Sequence, residues 1–571
     1  VIVPVFKEKS HLLCDPLRLL LWFLITLGIA LHACAALRGN WNLDELQYLK
    51  NGWATTQGLI PYRDFWDNHG ILSNYIYGLP FHFFPPVHES FLGFRALAFL
   101  ITLVFVGLTA VAASLAFPEQ RHVSLASAAF LLSSELFIMK AREIRGDNLM
   151  NLCWVASVVL LFAGLRRSSV RVFWLAGIAL GASALFSVKF AIVAVAAGII
   201  LLSAWRRNVG AHLRELVMFG LGTILPIIAA AGWIALQGIS EDFLAQAFHS
   251  SMDRDFTLAI GPLSGAVKSY PIWMGLAGVA LARSVHREWT HKALPGERWL
   301  WPPLAFLLFQ YFFLLPSKHS QSLLPVHPLI AVLGAHVFLL FYGWVGRLGK
   351  PVLKCLVILF MLAGALLQAY HMLHNNHYVN GILSWQLGQA QRLQAHTRPA
   401  DYVLSGLGVP IFRRSPISTN SFVNYLQEAY RQGKIDFQVT ESLVQKRVRF
   451  VVADSRIRSL PAADLSFIER HYLKIAGTPT KSPLLVAGGV EPITTSTVTL
   501  PMRIPGWYWV AMIQPEDLDS QGQLRKPESQ RFYSDGHSVA LSVPDGKTTA
   551  VYAQIPVRYV SVTTRQQLTA P

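Results

Sequence analysis

The stretch Trp41-Asn42-Leu43-Asp44-Glu45-Leu46-Gln47-Tyr48 follows directly on the first long apolar segment, Leu19 to Leu37. It puts two adjacent carboxylates at the mouth of a membrane helix. Lipid headgroups repel such a pair and helix packing has no need of it, so it points to chemistry at the membrane–water boundary. Leu46, Leu49 and Trp53 fall on helical spacing, which predicts a short helix here with Asp44 as a candidate N-cap.

The rest of the chain fits a membrane setting. Of 571 residues 53% are hydrophobic and only 14% charged, against about 25% charged in soluble domains. Apolar runs long enough to cross ~30 Å of hydrocarbon occur near 19–37, 91–117, 123–139, 149–165, 172–187, 190–205, 216–236, 266–283, 299–315, 323–344 and 352–370. That predicts about eleven transmembrane helices, with 172–187 and 190–205 short enough to form a re-entrant pair instead. The formal charge of +17 sits in short loops between these runs, as an orientation signal does, and not on a nucleic-acid-binding face. The four cysteines lie in or beside apolar segments and offer no disulfide framework or zinc knuckle.

Charge sets the expected topology. Lys7, Lys9, Arg18, Arg121, Arg166, Arg167, Arg206, Arg207, Arg287 and Arg347 mark one set of helix ends. Asp44, Glu45, Asp64, Asp67, Glu143, Asp147, Asp253 and Asp255 mark the other. The basic ends belong in the cytoplasm, with the N-terminus, and everything after residue 371 then lies outside. Three regions are expected: a transmembrane domain at 1–371, an extracytoplasmic α/β region at 372–490 and a small antiparallel β module at 491–571. The α/β pattern rests on Tyr402–Leu404, Ser421–Arg431, Phe450–Ala453 and Ala462–Tyr472. The β module rests on alternation in Trp507–Val510, Val539–Val543, Val551–Ile555 and Tyr559–Val562.

Five exterior segments carry residues that packing does not require. After Asp44-Glu45 comes Gly58-Leu59-Ile60-Pro61-Tyr62-Arg63-Asp64-Phe65-Trp66-Asp67-Asn68-His69-Gly70. Next are Lys140-Ala141-Arg142-Glu143-Ile144-Arg145-Gly146-Asp147, the single Lys189, Asp253-Arg254-Asp255, and Lys318-His319-Ser320-Gln321-Ser322-Leu323-Leu324-Pro325-Val326-His327-Pro328.

The ordered set resembles the GT-C superfamily of membrane glycosyltransferases, in its protein-mannosyltransferase and lipid A aminoarabinose-transferase branch. The matching elements are Asp44-Glu45, the Gly-x-x-Pro-Tyr-x-Asp block from Gly58 to Asp64, Arg145-x-Asp147, and Lys-x-x-x-x-Leu-Leu-Pro-x-x-Pro from Lys318. The resemblance spans roughly residues 15–371. It implies a GT-C-like all-α membrane domain and transfer of a sugar from a polyprenyl-phosphate carrier to an extracytoplasmic lipid, glycan or protein acceptor. Asp44 then matches the catalytic carboxylate, with Glu45 beside it, and Lys318 matches a late-helix lysine that approaches the carrier phosphate. Where the aminoarabinose branch has Glu-Lys, this chain has Asp67-Asn68-His69 and lacks the lysine.

Inverting transfer needs a carboxylate to take the acceptor's proton and cations to steady the departing phosphate. Arg142 and Arg145 suit phosphate oxygens, or pair with Asp147 to hold helix ends together. Lys189 contacts phosphate or snorkels to the interface. Tyr62, Asp64, Asp67, His69 and Asp147 shape the acceptor side. Asp67 and His69 supply two ligands of a possible divalent metal site, or belong to a hydrogen-bonded loop that anchors Tyr62 and Trp66 at the interface. Asp253-x-Asp255 is a metal motif or a solvated loop, and His371, His374 and His377 decorate the end of the last helix. Other readings are a glycan polymerase or ligase, or a non-catalytic flippase or assembly subunit for lipid-linked sugars. A flippase predicts ionisable residues in mid-span and internal repeats; here the spans are nearly charge-free. In a bacterial cell the setting is the inner membrane and cell envelope, with the tail in the periplasm.

Overall fold

The computed structural model describes residues 15–87, 89–206, 209–249, 271–314, 320–375, 382–476, 478, 482–514, 517, 529–544, 547, 549–555 and 560. The chain divides into two compact units. The first comprises the chain up to Asn40, Asn68–Ser73 and Leu92–Leu383. The second comprises Trp41–Asp67, Asn74–Phe91 and the chain from Ser384 onward.

The first unit is helical. Its elements are α1 (Pro16–Arg38), α4 (Ser90–Ala116), α5 (Val123–Leu132), α6 (Glu135–Ala141), α7 (Gly146–Arg167), α8 (Val170–Ala184), α9 (Phe190–Trp205), α10 (Leu213–Leu236), α11 (Pro271–Trp289), α12 (Pro295–Phe309), α13 (His327–Arg347) and α14 (Pro351–Asn375). Among the described residues six helical stretches are long and apolar enough to cross a membrane. The α5–α6 pair, bent by 73°, adds a seventh if it forms one broken span, while α8 and α9 are shorter. Ile228 on α10 and Phe360 and Leu367 on α14 turn large apolar surfaces outward, which suits helices whose solvent is lipid. This is an integral membrane protein.

Small residues set the closest helix contact. Gly177 on α8 faces Phe219 and Thr223 on α10, and a Cβ at Gly177 would lie 2.1 Å from the Phe219 carbonyl oxygen. Without a hydrophobic force between helices in lipid, such backbone approach is what dispersion and packing reward.

The second unit is built on the tail but takes in the first loop. Helices α2 (Leu43–Thr56) and the C-terminal part of α3 (Ile71–Gly78) join α15 (Ile382–Ala395), α16 (Asn424–Arg431), α17 (Val439–Gln445) and α18 (Ala462–His471). Its main sheet has seven strands: β1 (Val403–Ser405), β2 (Phe450–Val452), β3 (Tyr472–Lys474), β4 (Leu484–Pro492), β6 (Gly506–Ile513), β7 (Gln530–Ser534) and β9 (Thr549–Ala553). β5 (Thr497–Leu500) and β8 (Val539–Ser542) pair apart from it. The order is β1-β2-β4-β9-β6-β7, with β3 also on β4. Among the described strands only β1 and β2 run parallel, joined through α16 and α17 as a parallel pair requires. β4 carries the α/β part into the antiparallel part: Leu484–Val486 pair with β2, and Gly488–Pro492 pair with β9.

Alternation on β6 settles the Trp-Tyr-Trp cluster. Tyr508 points inward and donates from its hydroxyl to the Ile504 carbonyl at 2.6 Å. Trp507 stands outward under Arg531, 4.7 Å from the ring centroid. The buried aromatic is therefore the tyrosine and not a tryptophan, because successive strand side chains alternate faces. Tyr559–Val562 lies almost wholly outside the described residues.

Candidate active site

The predicted helix after the first span forms as α2, but its cap is Asn42. The Asn42 side chain accepts from the Asp44 N–H at 3.2 Å, and Glu45 Oε2 accepts from the Asn42 N–H at 2.8 Å. This capping box satisfies donors that have no partner within the helix. It buries Glu45 and leaves Asp44 half-exposed in the first turn. Positive charge meets Asp44 from two sources: the N-terminal end of α2 and Arg456 of the tail, with which it interacts electrostatically.

The tail holds α2 along its length. Asn420 Nδ2 donates to Asn51 Oδ1 at 3.0 Å. Gly408, at φ +81°, passes beside the Lys50 stem. Lys50 is buried, and burial pushes its amine down to about 8 although Asp454 pulls the other way. Asp454 organises the loops that meet α2: Oδ2 accepts from Ser405, Gly406 and Leu407, and Oδ1 from Arg456 and Ile457. Gln47 Oε1 and Asn51 Nδ2, on the same face of α2 as Asp44, are buried without a hydrogen-bond partner.

The Tyr62 block is a tight turn. Asp64 Oδ2 accepts from the Ile60 N–H at 2.7 Å, and its carboxylate takes both Nε and Nη2 of Arg63 at 2.9 Å. The hydrogen bonds from Arg63 hold its pKa below the usual carboxylate range. Tyr62 adopts φ 70° and is buried, which, with Asp67 and Tyr75 adding to it, pushes its phenol well above 10. Asp67 is fully buried and accepts from Asn74 Nδ2 at 2.6 Å. Trp66 donates its N–H to the Ser418 carbonyl at 2.7 Å and packs with Leu404 and Ile417. It is a core residue of the tail unit and not an anchor at the lipid interface.

His69 belongs to the membrane unit. Its loop is pinned to the α8–α9 turn by Gly70 N–H to Phe186 O at 3.2 Å and Leu72 N–H to Leu185 O at 2.9 Å. Only glycine fits here, since a Cβ at position 70 would lie 2.4 Å from the Leu185 oxygen. The same turn carries Lys189, and both His69 and Lys189 act electrostatically on Asp147.

The second exterior motif is a buried charge network. Glu143 bridges Lys140 at 2.7 Å and Arg145 at 3.0 Å, while Lys189 reaches Asp147 at 2.8 Å. Arg145 thus pairs with Glu143 and also acts electrostatically on Asp147, whose hydrogen-bonded ion-pair partner is Lys189; Lys189 does not simply snorkel. Arg142 is buried against the carbonyls of Met139, at 3.2 Å, and Ala35. Burial pushes Glu143 up, but Arg145, Lys140 and Arg142 outweigh it and hold its pKa low. Asn148 Nδ2 ties the turn by donating to the carbonyls of Lys140, Ala141 and Glu143. Four cations (Lys140, Arg142, Arg145, Lys189) and two carboxylates (Glu143, Asp147) thus gather among the described residues of this region.

One helical turn beyond Asp147, Asn151 is buried with neither amide atom hydrogen-bonded among the described residues, and Ser322 Oγ is likewise without a partner among them. With Asp147, Lys189, Gln310 and Gln321 they line the polar end of a cavity of about 20 Å³, closed by Met150, Ile192, Val193, Leu307 and Val326. Sequence reasoning missed Asn151 and Gln310, although a polar residue four positions from Asp147 inside an apolar run was a readable signal.

Lys318, Asp253, Asp255 and His377 lie outside the described residues. His371 is 3.9 Å from Glu135, and His374 stacks on Tyr370. Among the described residues no three His, Cys, Asp or Glu side chains gather as a metal site would require.

Comparison with known proteins agrees with this architecture. Residues 68–233 match the family model for dolichyl-phosphate-mannose-protein mannosyltransferase. No curated protein matches the chain. The apo oligosaccharyltransferase of Archaeoglobus fulgidus superposes with a TM-score of 0.56 at 9% identity, covering 97% of this chain and 96% of its own. Apo ArnT of Cupriavidus metallidurans gives 0.57 at 13% identity, covering 82% of this chain and 98% of its own. The same ArnT bound to undecaprenyl phosphate gives 0.56 at 12% identity, covering 82% and 97%. The chain is a membrane protein with the fold of the GT-C glycosyltransferases, carrying a C-terminal β-containing domain.

Proposed function

We propose that this protein transfers a sugar from a polyprenyl-phosphate carrier to an extracytoplasmic lipid, glycan or protein acceptor, with inversion at the anomeric carbon. The observation that carries the reading is the gathering of Lys140, Arg142, Arg145 and Lys189 at the turn that holds Glu143 and Asp147. Guanidinium and ammonium groups clustered in this way suit the oxygens of a phosphate monoester or diester. The family match to residues 68–233, and the fold shared with a protein solved with undecaprenyl phosphate, support the same ligand class.

In this mechanism Arg142, Arg145, Lys189 and Lys318 hold the carrier phosphate and stabilise the charge that grows as the sugar–phosphate bond breaks. Asn151 and Ser322 supply hydrogen bonds beneath them. Asp44 takes the proton of the acceptor hydroxyl or amine as its oxygen or nitrogen bonds to the anomeric carbon. Glu45 sets the position of Asp44 through the α2 cap. Tyr62, Asp64, Asp67 and His69 shape the acceptor side, and Asp67 and His69 stay candidate ligands for a divalent ion. The basic loops put the N-terminus in the cytoplasm and the tail in the periplasm or its equivalent.

The test uses purified protein in lipid nanodiscs with a panel of polyprenyl-phosphate sugars and cell extract as acceptor. Release of free polyprenyl phosphate, with a product of inverted anomeric configuration, is the expected result. Carrier binding without release from any donor would favour the flippase or assembly reading.

A further inference from the structure

The tail unit contains a cavity that the transfer chemistry does not use. It measures about 470 Å³ and lies where α16 and α17 meet α18. That is within the range of ~300–1,000 Å³ typical of small-molecule sites. Its chemistry is carried by Asp436, Glu441, Asp464, Phe467, Arg470 and His471.

Asp464 is the fixed point. It is buried and accepts from the Tyr430 hydroxyl and from Thr440 Oγ1, the latter at 2.9 Å. His471 is an independent sign that a ligand is missing from the hydrogen-bond count. It is only 8% exposed, and its Nδ1 has no partner. The Pro501 carbonyl engages the ring, and burial, then Arg470 and Arg503, lower its pKa to about 4. The ring is therefore neutral at physiological pH, and Nδ1 is buried without a hydrogen-bond partner among the described residues. Phe467 lies beside it, 4.6 Å between ring centroids.

The charged groups in the walls thus favour acceptors: three carboxylates against one guanidinium. A ligand that answers them must bring several donors, and the Phe467 ring favours one with an apolar face. Hydroxyl-rich sugar rings have both. Three negative charges against one positive disfavour phosphate, sulfate and uronate groups.

We propose that this cavity is a carbohydrate-binding subsite for a neutral or amino sugar residue. It stands apart from the transfer chemistry, and its failure would leave that reading untouched. The test measures binding to the full chain in nanodiscs of three soluble tetrasaccharides: cellotetraose (neutral), a glucosamine tetramer (amino) and tetragalacturonate (acidic). Neutral or amino tetramers should bind at least tenfold more tightly than the acidic one. The double variant Asp436→Asn, Glu441→Gln should weaken them about tenfold, two charged hydrogen bonds being replaced by neutral ones. Both side chains are exposed, so thermal unfolding should not change. His471→Phe, which keeps the ring and removes Nδ1, is the second variant and should weaken binding as well. Equal or tighter binding of tetragalacturonate, no binding of any tetramer, or an arginine-containing peptide binding where the sugars do not would each overturn the proposal.

Discussion

The helix start Asn42–Glu45 and the turn Lys140–Asp147 are both charged, both beside membrane spans, and built in opposite ways. At α2 two acids share one helix end and take different tasks: Glu45 is buried in the cap, and Asp44 is left half-exposed. At the α6–α7 turn two acids are set among four cations. The first arrangement keeps a carboxylate in the opening turn of a helix, near Arg456, and the second gathers groups of the kind that hold phosphate oxygens. One end is built acidic and the other basic, as the proposed proton acceptor and the proposed phosphate site require.

That contrast can be broken by substitution. Lys189→Met should have the largest effect on stability, because it leaves buried Asp147 without its 2.8 Å partner. Leaving a buried carboxylate without its partner costs about 1–3 kcal/mol, read as a fall in unfolding temperature in detergent, and Asp147→Asn in the same chain should restore much of it. Restored stability without restored turnover would assign Lys189 to the donor phosphate.

Lys50 gives a pH signature. Its folded pKa is about 8 against an ordinary 10.5, so between these values the unfolded chain binds the extra proton. Stability should therefore rise as pH goes from about 8 to 10.5, by about 3 kcal/mol, and stay flat below. Lys50→Met should abolish the rise, and an unchanged pH profile in that variant would contradict the assignment.

Arg145→Gln removes one of the four cations but leaves Lys140 on Glu143. Carrier affinity should fall by about 10–100-fold, the range of a charged hydrogen bond, with a smaller change in stability; unchanged affinity in a carrier titration would make Arg145 purely structural. Smallest is Glu45: Gln retains the capping box, so Glu45→Gln should leave turnover within about threefold, whereas Glu45→Ala costs about 1 kcal/mol of stability. A Gln variant as inactive as one lacking Asp44 would put Glu45 in the chemical step.

Much of this was readable in the sequence, and for identifiable reasons. The long helices follow from apolar runs in which every backbone group must bond internally. The tail's β1, β2, α18 and β6 follow from apolar runs and alternation around Val403, Phe450, Ile468 and Tyr508. Pairing was not readable, because periodicity says nothing about partners far apart in the chain. Nothing local says that Trp66 packs against Ile417, that Asn51 meets Asn420, or that Lys189 closes on Asp147. The capping role of Asn42 was available from the Asn-x-x-Glu spacing of Asn42 and Glu45, but the acidic pair drew the reading to Asp44. The assignment of residues 41–67 and the tail to one compact unit likewise depends on contacts with the tail loops at 406–408, 418–421 and 454–456.

The most direct test of the central claim compares the native chain with Asp44→Asn in nanodiscs, measuring release of polyprenyl phosphate and carrier binding together. The substitution keeps shape and removes only the charge. The account predicts that turnover falls by about 10²–10⁴-fold, the usual contribution of a general base, while carrier affinity holds. An Asp44→Asn protein that releases carrier at the native rate would contradict it.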